Sequence, residues 1–254
     1  MLKQSWLSRT PHIVAFVVLP LLSLGAAAGA EPPDNAGNPL AAEFFGAQEQ
    51  KVTDEALTNA RQVAINGKGA TWSCASCHGE NGAGNSTAPR IAGLAPGYIT
   101  KQLHDYRSGA RQNANMEYVV AELSDKQMLA LGQYYSRLES HSSAGPDLGG
   151  DISRGRQLAQ QGDWKVEVPA CFSCHGSTGW GVGQAFPALA AQHPSYTAVQ
   201  LSNWKSGRRS NSPVKLMHGV AVTLSDDDIR AVADYLATLP PPQQGTDRNA
   251  HAAN

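Results

Sequence analysis

The sequence predicts an all-α protein made of two tandem copies of one domain. Apolar residues recur at helical spacing, no alternating strand pattern of useful length is found, and the two halves align with each other. At an offset of 98 residues the halves share several residues: Pro89 with Pro187, Gln102 with Gln200, and Arg111 with Arg209. Each unit of about 100 residues is long enough to form a domain of its own.

Six segments are predicted along the chain. They are an export signal (1–30), a flexible leader (31–52), domain 1 (53–139), a linker (140–150), domain 2 (151–239) and a disordered tail (240–254). The linker is rich in Ser, Gly and Pro and lacks apolar periodicity. The tail offers too little apolar surface to be buried.

The first 30 residues have the features of a cleaved signal peptide. Lys3 and Arg9 precede an apolar run, and Ala28-Gly29-Ala30 matches a signal-peptidase site. We therefore expect cleavage after Ala30 and a periplasmic protein, membrane-associated only through its partners. An uncleaved anchor is the alternative, but the run is shorter than the roughly 20 apolar residues that a spanning helix needs.

The charge balance argues against nucleic acid as a partner. The chain has 20 Lys and Arg against 21 Asp and Glu, a formal net charge of −1. Such a mild balance gives no electrostatic support for binding nucleic acid or an anionic membrane. Another protein is the default partner.

Each domain is predicted to begin with a helix that leads into a cysteine motif. The first helix covers Asp54 to Asn66 and stops at Gly67, and its counterpart covers Ile152 to Gln161 and stops at Gly162. Glycine after the last helical residue is a common C-terminal stop because it adopts positive φ freely.

The two cysteine motifs predict covalent haem attachment. Cys74–His78 and Cys171–His175 both read C-x-x-C-H and together use all four cysteines: Cys74, Cys77, Cys171 and Cys174. Two thiols on one helical turn can each add to a haem vinyl group, and the adjacent His78 or His175 then reaches the iron. In zinc ribbons the two cysteine pairs lie roughly 15–20 residues apart, much closer in sequence than Cys74 and Cys171. A redox dithiol would need a βαβ context, and no strand pattern is found here. We therefore expect two haem c groups.

The sixth iron ligand is predicted from the repeat. The second half contains three extra residues, and beyond them Met116 aligns with Met217. Both residues are candidate ligands, because a methionine thioether can bind haem iron and raises the haem potential. Both lie in segments that look poor in regular structure and could fold over a haem face. Met128 aligns with Ile229, and a core position explains it without iron.

Three histidines are alternative ligands, namely His104, His193 and His218. None of them has a histidine at the matching position of the other half. His218, beside Met217, is the first alternative among them.

Pro89 and Pro187 follow the motif histidines by 11 and 12 residues. Their carbonyls are candidates to accept the second imidazole N–H, since ligating histidines usually need such a partner. Turn formation is the alternative explanation. Gln102, Arg111 and their counterparts are candidates for propionate or interface contacts, although packing explains them equally well.

The closing helix of each half has the clearest local pattern. Ser124 is followed by Gln127, and Ser225 by Asp228, at the spacing of a capping box. The apolar residues that follow recur at 3-4-3 spacing: Met128, Leu131, Tyr135 and Leu138, then Ile229, Val232, Leu236 and Leu239.

With these motifs, residues 53–239 resemble the dihaem class I c-type cytochromes, most closely cytochrome c4. The resemblance implies two class I cytochrome c domains, each around one covalent haem c with a His/Met pair. It also implies the imidazole contacts of Pro89 and Pro187. The three-residue insertion before Met217 and the long approach from Asp163 to Pro169 depart from the pattern.

The function expected from this resemblance is electron transfer in the periplasm. Electrons would pass by outer-sphere transfer from a respiratory or dehydrogenase donor to a terminal oxidase or reductase, with redox proteins as partners. No small-molecule substrate and no catalytic acid or base is expected. The alternatives are a dihaem enzyme of the thiosulfate dehydrogenase or peroxidase type, and a cytochrome subunit of a periplasmic dehydrogenase complex.

Overall fold

The structure, a computed structural model, describes residues 52–139 and 141–243, and both halves of this region are helical. The first half contains α1 (Asp54–Asn66), α2 (Ala75–His78), α3 (Pro96–Ser108), α4 (Ala114–Val120) and α5 (Asp125–Ser136). The second half contains α6 (Ile152–Gln160), α7 (Cys171–His175), α8 (Pro194–Lys205), α9 (Leu216–Thr223) and α10 (Asp226–Ala237). Short 3-10 turns cover Trp164–Val166 and Pro213–Lys215.

Extended pairing in the described ranges is limited to isolated bridges. Asp163 pairs with Val168, and Val182 pairs with Phe186. The predicted all-α class is therefore confirmed.

The first helix of each half, α1 or α6, is followed closely by a glycine, and the reason is steric. Gly67 has φ 82° and Gly162 has φ 73°, in the left-handed region that favours glycine. A Cβ atom would lie 2.4 Å from the Thr71 carbonyl oxygen at Gly67, and 2.3 Å from the Val168 carbonyl oxygen at Gly162. Each glycine thus turns the chain tightly into the segment before a cysteine motif.

Both closing helices begin with a complete capping box. The Ser124 hydroxyl accepts the Gln127 N–H, and the Gln127 side chain accepts the Ser124 N–H. Ser225 and Asp228 make the same reciprocal pair in α10. Either glutamine or aspartate can therefore complete the capping box as the third residue of the helix.

Each half has its own core, built around its closing helix. α5 packs against α1 and α3, and α10 packs against α6 and α8. Met128 and Leu131 are almost completely buried in the first core, as are Leu158 and Leu236 in the second. The repeat seen in the sequence is thus a repeat of packing.

Several sequence predictions concern residues outside the described ranges. They are the export signal (1–30), the leader (31–51 of the predicted 31–52), Ser140 at the start of the linker, and the tail from residue 244. Within the described ranges, no helix has the length and apolar character needed to cross a membrane.

The linker is held to the second core by one buried carboxylate. Asp234, which is 1% exposed, accepts backbone N–H groups from Asp147 at 3.0 Å, Leu148 at 3.1 Å and Gly150 at 2.7 Å. A Cβ atom at Gly150 would lie 2.4 Å from the Arg230 carbonyl oxygen, so only glycine fits this close approach. The linker is therefore a packed part of the second half.

Replacing Asp234 by alanine should lower the free energy of unfolding by about 3 kcal/mol, because three backbone N–H groups lose their buried carboxylate acceptor. Urea unfolding of the haem-loaded protein measures this change. Asp227→Ala, on the exposed side of the same helix, is the control and should shift stability by no more than about 0.5 kcal/mol. Equal effects of the two variants would contradict the role assigned to Asp234.

Candidate functional site

Each cysteine motif folds as about one helical turn. In the first motif the His78 N–H donates to the Cys74 carbonyl at 2.9 Å. This turn brings cysteines three positions apart onto one face, beside the histidine. Burial raises the pKa of the Cys74 thiol and raises that of Cys171 to about 11. Such thiols are poorly ionised, which is the opposite of a reactive redox dithiol.

The two motifs do not assemble a shared metal-binding cluster. Across residues 52–139 and 141–243, no three His, Cys, Asp or Glu side chains group in a way that could hold a metal ion. All four cysteines lie in these ranges, and none of them forms a disulfide. Each motif is therefore a separate site within its own half.

Both motif histidines are buried and oriented by a proline carbonyl. His78 Nδ1 lies 2.8 Å from the Pro89 oxygen, and His175 Nδ1 lies 2.8 Å from the Pro187 oxygen. A carbonyl only accepts, so Nδ1 carries the proton and Nε2 keeps its lone pair for iron. Burial lowers the pKa of both rings, and the positive charge of Arg111 acts in the same direction on His78. The rings are thus held neutral, as iron ligation requires.

Met116 and Met217 occupy equivalent places in the two halves. Met116 packs against the first core together with Cys74, and Met217 packs against the second core together with Cys171. The prediction that they lie in irregular segments is wrong, since they belong to α4 and α9. α4 forms because the Asn113 side chain accepts the Met116 N–H at 3.1 Å and caps the helix.

Met128 is a member of the first core itself. It is fully buried in the first core, at 0% exposure. Its position agrees with a packing role.

Each alternative histidine makes a hydrogen bond with another residue. His218 Nδ1 lies 2.7 Å from the Trp204 carbonyl oxygen, which ties α9 to α8. His193 Nε2 lies 3.1 Å from the Ala83 carbonyl oxygen in the other half. His104 Nδ1 accepts from Arg107 at 3.0 Å.

A symmetrical network of buried polar residues joins the two halves. Arg111 donates to Gln102 of its own half at 2.9 Å and to Gln200 of the other half at 2.9 Å. Arg209 repeats this with Gln200 at 2.8 Å and Gln102 at 3.0 Å. The four side chains that the sequence repeat marked as candidates therefore meet at the interface between the halves.

The same network fits the acidic groups of the predicted haems. The Arg111 guanidinium stacks 4.7 Å from the Tyr106 ring, and Arg209 stacks 3.9 Å from the Trp204 ring. Within the described part of the chain, the buried Nε1–H of Trp204 has no hydrogen-bond acceptor. Two guanidinium groups and a free indole N–H suit haem propionates, which are anionic acceptors.

Arg90 is a second link between the halves, and no pattern in the sequence indicates it. It is 0% exposed and follows Pro89 directly. Its backbone exchanges hydrogen bonds with the Gln192 side chain at 2.9 and 3.0 Å, and its guanidinium donates to the carbonyls of Ala190 at 2.9 Å and Ala92 at 2.6 Å. Its counterpart is Ala188, so the repeat could not mark it.

Comparison with known proteins decides the family. The family model described as cytochrome c matches twice, over residues 64–138 and 152–240, and so covers both sites. The chain belongs to the cytochrome c family. This cytochrome therefore has two cytochrome c domains, and it binds two haem c groups through its C-x-x-C-H motifs.

Three similar proteins refine the relationship. A "thiosulfate dehydrogenase electron acceptor" of Thiomonas intermedia is 43% identical over 171 residues, which are 66% of this chain and 79% of that protein. Reduced cytochrome c4 from Pseudomonas stutzeri has a TM-score of 0.64 and 30% identity, covering 75% of this chain and 100% of that chain. A thiosulfate dehydrogenase of Marichromatium purpuratum has a TM-score of 0.69 and 38% identity. That match covers 72% of this chain and 40% of the other.

These relatives confirm the predicted class. The protein is a dihaem class I c-type cytochrome similar to cytochrome c4, and it transfers electrons. Its redox partners include a donor or acceptor protein.

Proposed function

We propose that this cytochrome works in the periplasm as the electron acceptor of a thiosulfate dehydrogenase and delivers the electrons to a terminal oxidase or reductase. In this proposal it is a carrier and not itself an enzyme. Cys74, Cys77, Cys171 and Cys174 hold the haems, and the iron ligands are His78, Met116, His175 and Met217.

The observation that carries the choice of donor is the similarity to thiosulfate dehydrogenase electron acceptors. Two such proteins are 43% and 42% identical to this chain, and each is covered over about four-fifths of its length. The match to the Marichromatium purpuratum enzyme supports the same donor, because an equivalent two-domain part lies within that longer chain.

Each haem c supplies an iron that takes up or releases one electron. The chain orients His78 and His175 through the proline carbonyls and keeps both rings neutral. The core packing of Met116 and Met217 brings a thioether to the same half as each motif. With two protein ligands on each iron, neither site would offer an open position for substrate, which supports a carrier.

The interface supports electron passage between the two haems. Arg111 and Arg209 lie buried where the halves meet, and each bonds glutamines of both halves. Such buried, hydrogen-bonded groups need little rearrangement when the charge on a haem changes. Electrons would therefore enter through one domain and leave through the other.

The proposal is tested by mixing the oxidised cytochrome with thiosulfate, with and without a purified thiosulfate dehydrogenase. We expect both haems to be reduced rapidly when the dehydrogenase is present, and to stay oxidised with thiosulfate alone. Reduction by thiosulfate alone would contradict the carrier role. Failure of the active dehydrogenase to reduce the cytochrome would contradict the choice of donor.

A second candidate is a general respiratory shuttle of the cytochrome c4 type. The similarity to cytochrome c4 of Thiocapsa roseopersicina, at 39% identity, favours it. In that case a membrane-bound oxidase would accept electrons from the cytochrome, but the dehydrogenase would not reduce it.

A further inference from the structure

A hydrogen bond and a ring contact join α4, the helix that carries Met116, to the segment that leads into the first cysteine motif. The Tyr118 hydroxyl donates to the Ala70 carbonyl at 2.7 Å. The ring of Tyr118 also contacts that of Trp72, with centroids 5.0 Å apart and planes tilted by 56°. Tyr118 is two residues after Met116, and Trp72 is two residues before Cys74.

This pair, the Trp72–Tyr118 clasp, lies at the protein surface. Trp72 is 52% exposed and Tyr118 is 43% exposed, although both are large aromatic residues. Gly69 lies near Glu122, which follows α4, because a Cβ atom added at Gly69 would lie 3.8 Å from the Glu122 side chain. The clasp itself joins α4 to the approach to the motif at Ala70 and Trp72.

The second half has no equivalent of the clasp. The residue two positions after Met217 is Gly219, where an added Cβ atom would meet nothing within 4 Å. The residue two positions before Cys171 is Pro169. α9 is fastened instead to α8, through the contact of His218 with the Trp204 carbonyl.

The chain is also strained just before Met217. Val214 and Lys215 have φ 47° and 56°, in the left-handed region that side chains with a Cβ disfavour. This conformation is unfavourable for any residue with a Cβ atom, and most of all for a β-branched residue such as valine. Val214 is 94% exposed, so its side chain recovers little by packing. Movement of this segment would relieve strain in the second half, whereas no non-glycine residue between 52 and 116 has a positive φ.

We propose that the Trp72–Tyr118 clasp is a positioning device that keeps Met116 on the first haem iron, and that the second haem exchanges its sixth ligand more readily. Movement of α4 away from the haem-attachment segment would draw Met116 off the iron. The clasp holds these two segments together, so it would oppose that movement. This inference rests on the proposed assignment of Met116 and Met217 as ligands.

Imidazole binding to the oxidised, haem-loaded protein tests the proposal. The haem methyl resonances in the ¹H NMR spectrum report the two haems separately, and Met116→Ala and Met217→Ala assign them. In the unaltered protein we expect the second haem to be half-saturated at a lower imidazole concentration than the first.

Two variants of Tyr118 separate the effect of the ring contact from that of the hydrogen bond. Tyr118→Leu removes the ring contact and the hydrogen bond, and it should lower the half-saturating concentration at the first haem about tenfold. Tyr118→Phe removes only the hydrogen bond, and about threefold is expected. The second haem should be unchanged in both. Trp164→Leu, which removes a 74% exposed tryptophan outside the clasp, is the control and should change neither haem.

The outcomes separate this inference from the proposed ligands. If Met116→Ala raises imidazole affinity at the first haem but Tyr118→Leu does not, the clasp is overturned and the ligand assignment stands. If Met116→Ala has no effect at either haem, both are overturned. Equal effects of Tyr118→Leu on the two haems would indicate general loosening and would also overturn the clasp. Equal imidazole binding by the two haems of the unaltered protein would also overturn the proposed role of the clasp.

Discussion

Replacing Met116 by alanine is expected to remove the low-spin His/Met signal of the first haem and to leave the second haem unchanged. Met217→Ala should have the opposite selectivity. A thioether favours the reduced state, so its loss should lower the potential of the affected haem by on the order of 0.1 V. Visible spectra and a redox titration of each variant measure both effects.

Met128→Ala is the matched control for these variants. Met128 is fully buried in the first core, so its truncation should cost about 2–5 kcal/mol of stability while both His/Met signals remain. If Met116→Ala and Met217→Ala each left both signals intact, the sixth ligands would have to be other residues. His218 would then be the first to examine.

Replacing Arg90 by alanine is expected to lower the free energy of unfolding by about 3–5 kcal/mol. The change removes the guanidinium that donates to buried carbonyls of both halves, including those of Ala190 and Ala92. Because each half has its own core, the weakened interface should also let the halves unfold in separate steps. Urea unfolding of the haem-loaded protein, followed at each haem, measures both results.

Arg208→Ala is the control for Arg90, since Arg208 is exposed in the second half. Its removal should change stability by no more than about 0.5 kcal/mol. A loss below about 1 kcal/mol in Arg90→Ala would contradict the structural role of this residue at the interface.

Local signals in the sequence predicted the helices well. The first helix covers the predicted residues and is followed by its glycine stop, and the sixth ends one residue earlier than expected. Ser124 and Ser225 mark the starts of the closing helices because their side chains satisfy N–H groups that no helical carbonyl can reach. The sequence repeat also identifies Arg111, Arg209 and their glutamines as candidates, although it does not distinguish interface contacts from packing.

Features that depend on contacts between distant parts of the chain could not be predicted. Arg90 and Asp234 look like ordinary surface charges in the sequence, and neither matches the same residue in the other half. Their burial follows from how the halves and the linker pack, which no local pattern encodes. The short helix around Met116 was also missed, because seven residues give too little periodicity to recognise.

A redox titration followed by visible spectroscopy tests the central claim most directly, since it counts the haems and reports the ligands of each iron. We predict two one-electron steps, low-spin His/Met spectra at both haems, and little binding of carbon monoxide by the reduced protein. A high-spin signal, or ready binding of carbon monoxide at either haem, would contradict the account of two six-coordinate electron-transfer sites.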